Sequence, residues 1–247
     1  MTVAAKQWFR IVTPVTTLRL GATALPSTAM TSDIAFLNPE VAHYLSAHTT
    51  APTALEQRLI DETQSMEHAQ MQIGFPQARF MGLLARIMHP KTVVEVGVFT
   101  GYSALVVAQE LGEDATLIAC DISDEWTSIG QPYWEEAGVT DRIDLRIAPA
   151  AETLAALPAD TSVDMAFIDA DKTGYLGYLH QLIPLMHARS VVLVDNVLWD
   201  GQIVDDADQS DDTIALRVFN DAMVTDDRVD VALLPVGDGV SMITLAR

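Results

Sequence analysis

The 247-residue sequence predicts a doubly wound α/β fold, on three observations. Five short strands, apolar at nearly every position, fall between residues 92 and 197. Such strands are buried on both faces, which calls for a parallel sheet covered by helices. A helical stretch separates each strand from the next, as parallel crossovers require. Finally, VDVALLPV, a Gly-Asp-Gly turn and VSMITLAR read as an antiparallel hairpin on one edge of the sheet.

In chain order, residues 1–29 carry Lys6, Arg10 and Arg19 and no acid; the first carboxylate is Asp33. Without a continuous apolar segment, a secretory signal fits poorly. The stretch reads as a leader or appendage, with Met30 opening the domain proper. A basic, Thr-rich transit peptide and an arm packed on a partner subunit are the alternatives. A helical extension follows over 39–88, where PEVAHYLSAHT and ALEQRLIDETQSMEHAQ place apolar residues at spacings of three and four. The Gly-Phe-Pro break at 74–76 ends the second helix, and Pro76 sits near the first turn of the next. The Rossmann-like core occupies 91–247, with strands at 92–98, 116–122, 142–148, 163–170 and 190–197. Helices are expected at 102–111, 125–138, 150–157, 175–186 and 211–226. No repeat or linker divides 30–247, which reads as one domain.

Composition excludes several classes. Hydrophobic residues make up 49% and charged residues 19%, too apolar for a disordered chain. No apolar run reaches the ~18–20 residues of a membrane span, so no membrane partner is expected and a cytoplasmic location is. Fourteen Lys+Arg against thirty-four Asp+Glu give a net charge of −20, which repels a phosphate backbone and argues against nucleic acid. The lone Cys120 excludes an intrachain disulfide framework and a multi-cysteine zinc site. The six histidines show no metal spacing, and no Gly-x-Ser-x-Gly elbow marks a hydrolase.

Open α/β sheets bind ligands at the carboxyl ends of their strands, and four such ends here carry chemistry. Glu95-Val96-Gly97-Val98-Phe99-Thr100-Gly101-Tyr102-Ser103 runs from strand through a Gly-bounded loop into a helix. Its Gly-x3-Gly spacing is neither a dinucleotide fingerprint nor a P-loop, so it suits a ligand approached by backbone but lacking phosphate. Asp121 ends the next strand, where a carboxylate can accept both hydroxyls of a ribose; Ser123 and Asp124 are better placed to cap the helix that follows. Asp169-Ala170-Asp171-Lys172 and Asp195-Asn196 end two further strands, expected to be neighbours. Asp169, Asp195 and Asn196 offer the oxygen donors that a hard divalent cation takes. Each motif alone could be a pair of turn residues; their joint occurrence at two strand ends favours a metal site.

With these residues in view, the sequence resembles the metal-dependent O-methyltransferases of the caffeoyl-CoA and catechol type that use S-adenosylmethionine. The bacterial members acting on small catechols look most similar. VVEVGVFTGYSAL, ACDIS, FIDADKTGYLGYL, LVDNVLWDG and LLPVGDGVS match family blocks in order and at family spacing, over about residues 56–247. The resemblance implies a class I methyltransferase sheet of seven strands and a homodimer. It places Ile73, Glu95, Gly97, Val98, Ser103, Asp121, Ala150 and Asp171 on the cofactor. It assigns Asp169, Asp195 and Asn196 to Mg²⁺ (or Mn²⁺ or Ca²⁺) and Lys172 to the general base. Asp169, Lys172, Asn196 and Asp200 then face the substrate, Asp200 standing where plant members have asparagine.

Two departures stand out: Gly-Phe-Pro-Gln-Ala at 74–78 replaces Ser-Pro-Glu-x-Gly near the substrate mouth, and His-Ala-Arg-Ser at 187–190 replaces a Pro-Gly-Gly turn. Five aspartates between Gly201 and Thr213 make a polyanionic CoA thioester a poor fit. The expected reaction is methyl transfer to one hydroxyl of a vicinal diphenol, a small phenolic acceptor. Trp199 either walls the acceptor ring or plugs the sheet edge. The rivals are a cofactor-binding protein without catalysis and a nucleic-acid methyltransferase; charge and a missing Asn/Asp-Pro-Pro-Tyr signature oppose the second.

Overall fold

The computed structural model describes residues 38–247, so the expectations for residues 1–29 and for Met30 lie outside the described residues. Three helices come first, α1 (Pro39–Ala47), α2 (Ala54–Gln64) and α3 (Phe75–Met88). A capping box opens α2: Thr53 accepts from the Glu56 N–H, and the Glu56 carboxylate accepts from the Thr53 N–H. Glu56 also meets Arg79 at 2.9 Å, tying α2 to α3. The second helix is shorter than its apolar pattern suggests. Ser65 turns its hydroxyl onto the Glu62 carbonyl (2.7 Å), and a short 3₁₀ turn at Ala69–Met71 takes over. At the end of α3, His89 is left-handed (φ 49°) and Pro90 prevents continuation.

The strands are β1 (Thr92–Val96), β2 (Thr116–Asp121), β3 (Ile143–Ile147), β4 (Val163–Ile168), β5 (Met186–Val194), β6 (Val229–Leu234) and β7 (Val240–Leu245). They form one seven-stranded sheet in the order β3-β2-β1-β4-β5-β7-β6, with β7 antiparallel to both its neighbours. The intervening helices are α4 (Tyr102–Glu110), α5 (Asp124–Glu136), α6 (Ala150–Ala155), α7 (Tyr175–Leu182) and α8 (Asp211–Thr225). Strand residues alternate between faces. Val93, Leu117 and Met165 therefore pack with α3, α4 and Trp134 of α5, whereas Val94, Ile118 and Ile168 pack with α6, α7 and α8.

Three expectations need correcting. As an edge strand, β3 is only half buried, because the polar Asp144 and Arg146 interrupt its apolar residues. The strands expected to reach residues 98, 170 and 197 stop at Val96, Ile168 and Val194. The extra residues are loop, and they carry the site. Pro184 belongs to a 3₁₀ turn that closes α7 at Leu182, and β5 begins at Met186, ahead of the expected Ser190.

Candidate active site

Crossovers leave the sheet in opposite directions on either side of β1 and β4, which opens a crevice at their carboxyl ends. The glycine loop lines it. Gly97 (φ 91°) lies so close to the next strand end that a Cβ would overlap the Asp169 carbonyl. Gly101 (φ 78°) leads into α4 and is covered by Trp134, whose indole N–H donates to the Gly101 carbonyl (3.1 Å).

Asp121 does more than the sequence suggested. Its Oδ2 accepts the N–H groups of Val98 (2.8 Å) and Phe99 (2.9 Å), and its Oδ1 accepts that of Ser123 (2.8 Å). The carboxylate thus anchors the glycine loop, while Ser123 caps α5 as expected. Phe99 is held at φ 52°, a conformation those paired bonds stabilise. Beside Asp121, Ile122 is 74% exposed, and Ile147 pairs with Asp121 across β2 and β3. Apolar surface next to an anchored carboxylate suits a planar base attached to a sugar; pattern reading passed over both isoleucines as strand residues. Ala150 is buried at the start of α6. Asp121→Ala should weaken S-adenosylmethionine binding by roughly 1–3 kcal/mol through unmade charge-assisted bonds. Isothermal titration of the folded variant checks this, and unchanged affinity removes Asp121 from the site.

Glu95 sits beneath the loop, 2% exposed, accepting a hydrogen bond from the Ser103 hydroxyl. Burial pushes its carboxyl up to about 8 against the Ser103 bond, and the charges of Asp169 and Asp121 push the same way as burial. A folded-state pKa above the ordinary value means that the native protein holds the proton longer than the unfolded chain. The resulting stability is complete below about pH 4.5 and is lost as pH rises through about 8. Thermal melts of the metal-free protein should therefore fall between pH 5 and pH 9, and Glu95→Gln should flatten that decline. An equally steep decline in the variant refutes the assignment.

The second half of the site lies at the ends of β4 and β5, which pair side by side. The Lys172 ammonium donates to Asp169 Oδ1 (3.1 Å), Asn196 Oδ1 (2.7 Å) and the Tyr175 hydroxyl (2.7 Å). Two of the three expected metal donors thus converge on one cationic nitrogen. The third, Asp195, is 2% exposed; its Oδ1 accepts the Asn196 N–H (2.7 Å) and its Oδ2 the Gln77 amide (2.6 Å). Burial raises the Asp195 pKa, and the neighbouring Asp169 charge adds to the rise. Among the described residues no cluster of three His, Cys, Asp or Glu side chains could hold a metal. A cation bound here would need the Asn196 amide oxygen beside the carboxylates. Two close carboxylates and an amide oxygen fit a hard cation.

Trp199 (φ 49°) packs against the α6–α8 side of the core, with its ring 5.5 Å from the Lys172 ammonium. Both uses expected of it are compatible with this place. Asp200 is exposed, and its N–H donates to Asp238 Oδ1 (2.6 Å). Asp171 stands apart from the convergent group: it is exposed and accepts the Tyr178 hydroxyl (2.5 Å). Ile73, half-buried, packs on the α3–α5 side of the core just before α3. Sequence reading missed Gln77, Tyr175 and Asp238. Only Tyr175 left a local signal, three residues after Lys172 and so within reach of it in a helical turn.

The sheet order, its single antiparallel strand and the glycine loop are those of the class I methyltransferase fold. Comparisons agree and narrow the class. The profile of the O-methyltransferase family matches residues 45–247. A probable caffeoyl-CoA O-methyltransferase 2 of Dictyostelium discoideum is 35% identical over 212 residues, covering 84% of this chain and 92% of its own. Caffeoyl-CoA O-methyltransferase 2 of Zea mays is 40% identical over 176 residues, 67% of each chain. The SAH-bound methyltransferase PaMTH1 of Podospora anserina superposes with a TM-score of 0.77 at 28% identity, covering 84% of this chain and 94% of that one. The chain belongs to the O-methyltransferase family. No helix among the described residues is long and apolar enough to cross a membrane.

Proposed function

We propose that the protein methylates one hydroxyl of a vicinal diphenol and that a divalent cation, Mg²⁺, Mn²⁺ or Ca²⁺, is held by Asp169, Asp195 and Asn196. The observation that carries this reading is the convergence of Asp169 Oδ1 and Asn196 Oδ1 on the Lys172 ammonium, with buried Asp195 beside Asn196, an oxygen set that already gathers around positive charge. A phenol has a pKa near ~10 and is a weak nucleophile at neutral pH. When bound, the cation would supply the charge that lowers this pKa and fixes both oxygens, and the sulfonium would supply the methyl.

The chain's own residues do the rest. Asp121, Glu95, Gly97, Val98 and Ser103 hold the cofactor from the glycine-loop side, with Ile73, Ala150 and Asp171 as further contacts. Lys172 Nζ, next to Asp169 and Asn196, is the base in its neutral amine form: with a cation held by those two side chains it would give up one ammonium proton to solvent and then take the proton that leaves the acceptor hydroxyl. Trp199 presents an aromatic face to the acceptor ring above that nitrogen, and Asp200 lies on the approach. Most of the acceleration comes from orientation in this crevice. We place the protein in the cytoplasm as a homodimer, with residues 30–247 as its one domain.

Relatives bearing the caffeoyl-CoA name favour a second reading, a hydroxycinnamoyl-CoA ester as acceptor. Charge opposes it. The segment with Asp205, Asp206 and Asp208, which follows the Trp199–Val204 turn, is pinned by Arg217, which donates to the carbonyls of Gln202, Ile203, Asp205 and Asp208. A turnover panel of free catechols, hydroxycinnamates and their CoA esters, with and without Mg²⁺, tests both. The highest kcat/KM on a CoA ester rejects the small-catechol assignment.

A further inference from the structure

We propose that Gln77 is a positioning residue: it holds the outer oxygen of Asp195, and the Gly237–Gly239 turn holds Gln77, so that this carboxylate meets the cation in a single orientation. This rests on the metal-dependent reading above. Gln77 lies in the first turn of α3, 118 positions from Asp195, and both side chains are buried, 3% and 2% exposed. A carboxylate turns freely about its last torsion, whose preferences are broad. The Asn196 N–H on Oδ1 fixes one oxygen; the Gln77 amide on Oδ2, arriving from a different element, fixes the other.

The direction of the amide is settled by chemistry and by its other neighbour. Only the NH₂ end can donate to a carboxylate, so Gln77 Oε1 must point away. It points at Gly237 (φ 55°), where a Cβ would overlap it. A side chain at 237 would push the amide off Asp195. The same turn grips the chain beyond the ligand pair. The Gly239 carbonyl accepts the Val197 N–H (3.0 Å), the Asp238 carbonyl accepts that of Leu198 (3.1 Å), and Asp238 Oδ1 accepts that of Asp200 (2.6 Å). The Asn196 oxygen is turned to Lys172. One turn therefore lies against Gln77 and braces the backbone that follows the ligand pair. Gln77 is neutral, so it orients Asp195 without supplying the positive charge that the cation brings. A lysine or arginine there would do both and compete with the cation.

The test measures Mn²⁺ affinity by paramagnetic resonance and S-adenosylmethionine affinity by calorimetry, on the full chain and two variants. Gln77→Met keeps length and packing but removes the donor; Gly237→Ala leaves Gln77 chemically intact and displaces its amide. Both should weaken Mn²⁺ binding roughly 10–100-fold, the usual effect of losing an outer partner of a metal ligand. Cofactor affinity should stay at the wild-type level, which a merely structural defect would not spare. Wild-type Mn²⁺ affinity in Gln77→Met overturns the inference, and if that variant fails to fold, wild-type affinity in Gly237→Ala does so. A wild-type protein that binds no Mn²⁺ overturns the metal reading itself, and this inference with it.

Discussion

Chelation with EDTA should abolish turnover of a catechol, and Mg²⁺ or Mn²⁺ should restore it. Polarisation by a bound cation is worth several kcal/mol, or about 10³-fold in rate. A monophenol should be a far poorer acceptor than the matching diphenol, because it would offer a bound cation one oxygen instead of two. Asp169→Ala should lose activity to a similar degree while still binding S-adenosylmethionine, since the glycine loop is anchored separately, by Asp121. Lys172→Ala should keep metal affinity and lose roughly 10²–10⁴-fold in the chemical step. Steady-state kinetics with calorimetry of each ligand separates these outcomes. Full activity in EDTA with no metal on the purified protein would end the metal-dependent assignment, even with methyl transfer confirmed.

The other large effect is expected at Gly97. Alanine there meets a left-handed backbone at φ 91° and an overlap with the Asp169 carbonyl, which is rigid main chain. Strain and overpacking cost about 1–3 kcal/mol each. A total near 3 kcal/mol would lower Tm by roughly 6–12 °C in a domain of this size. Relief by shifting Asp169 would spoil the donor set, so activity should vanish in whatever protein remains folded. Gly177→Ala in α7 is the control. Nothing lies within 4 Å of a Cβ there, so helix propensity should make it neutral or stabilising by up to about 1 kcal/mol. Equal melting temperatures for the two variants would refute the close-approach argument.

What the sequence disclosed, and what it concealed, follows from the range of each signal. Alternation of apolar strands and helices is local, so β1 to β5 and their order of connection were legible. Asp121, Asp169 and Asp195 were legible as candidates because each directly follows an apolar run, and Asn196 because it adjoins Asp195. Strand ends were overrun because Val98 and Val197 are as apolar as true strand residues, although they lie in the loops that build the site. Gln77 was opaque. Its partner is 118 positions away, and an isolated glutamine in a helix's first turn has no pattern. Asp238 looked like an ordinary turn residue between two glycines; its bond to the Asp200 N–H depends on β7 lying against β5. The edge position of β3 was hidden for the same reason, since lateral order is a long-range property.

The place of β7 also sets a schedule. Strand β5, which delivers Asp195 and Asn196, receives its outer neighbour from β7, the last strand in order among the described residues. Translation proceeds from the amino terminus, and domains fold largely as units. While the ribosome still holds residues 240–245, β5 has an open edge, and the Gly239 carbonyl cannot yet take the Val197 N–H. A nascent chain thus folds the Asp121 half first and finishes the acidic half only once residues 240–245 have left the ribosome. Every newly made molecule would pass through a stage with an unpaired strand edge, the form most exposed to aggregation or to a chaperone.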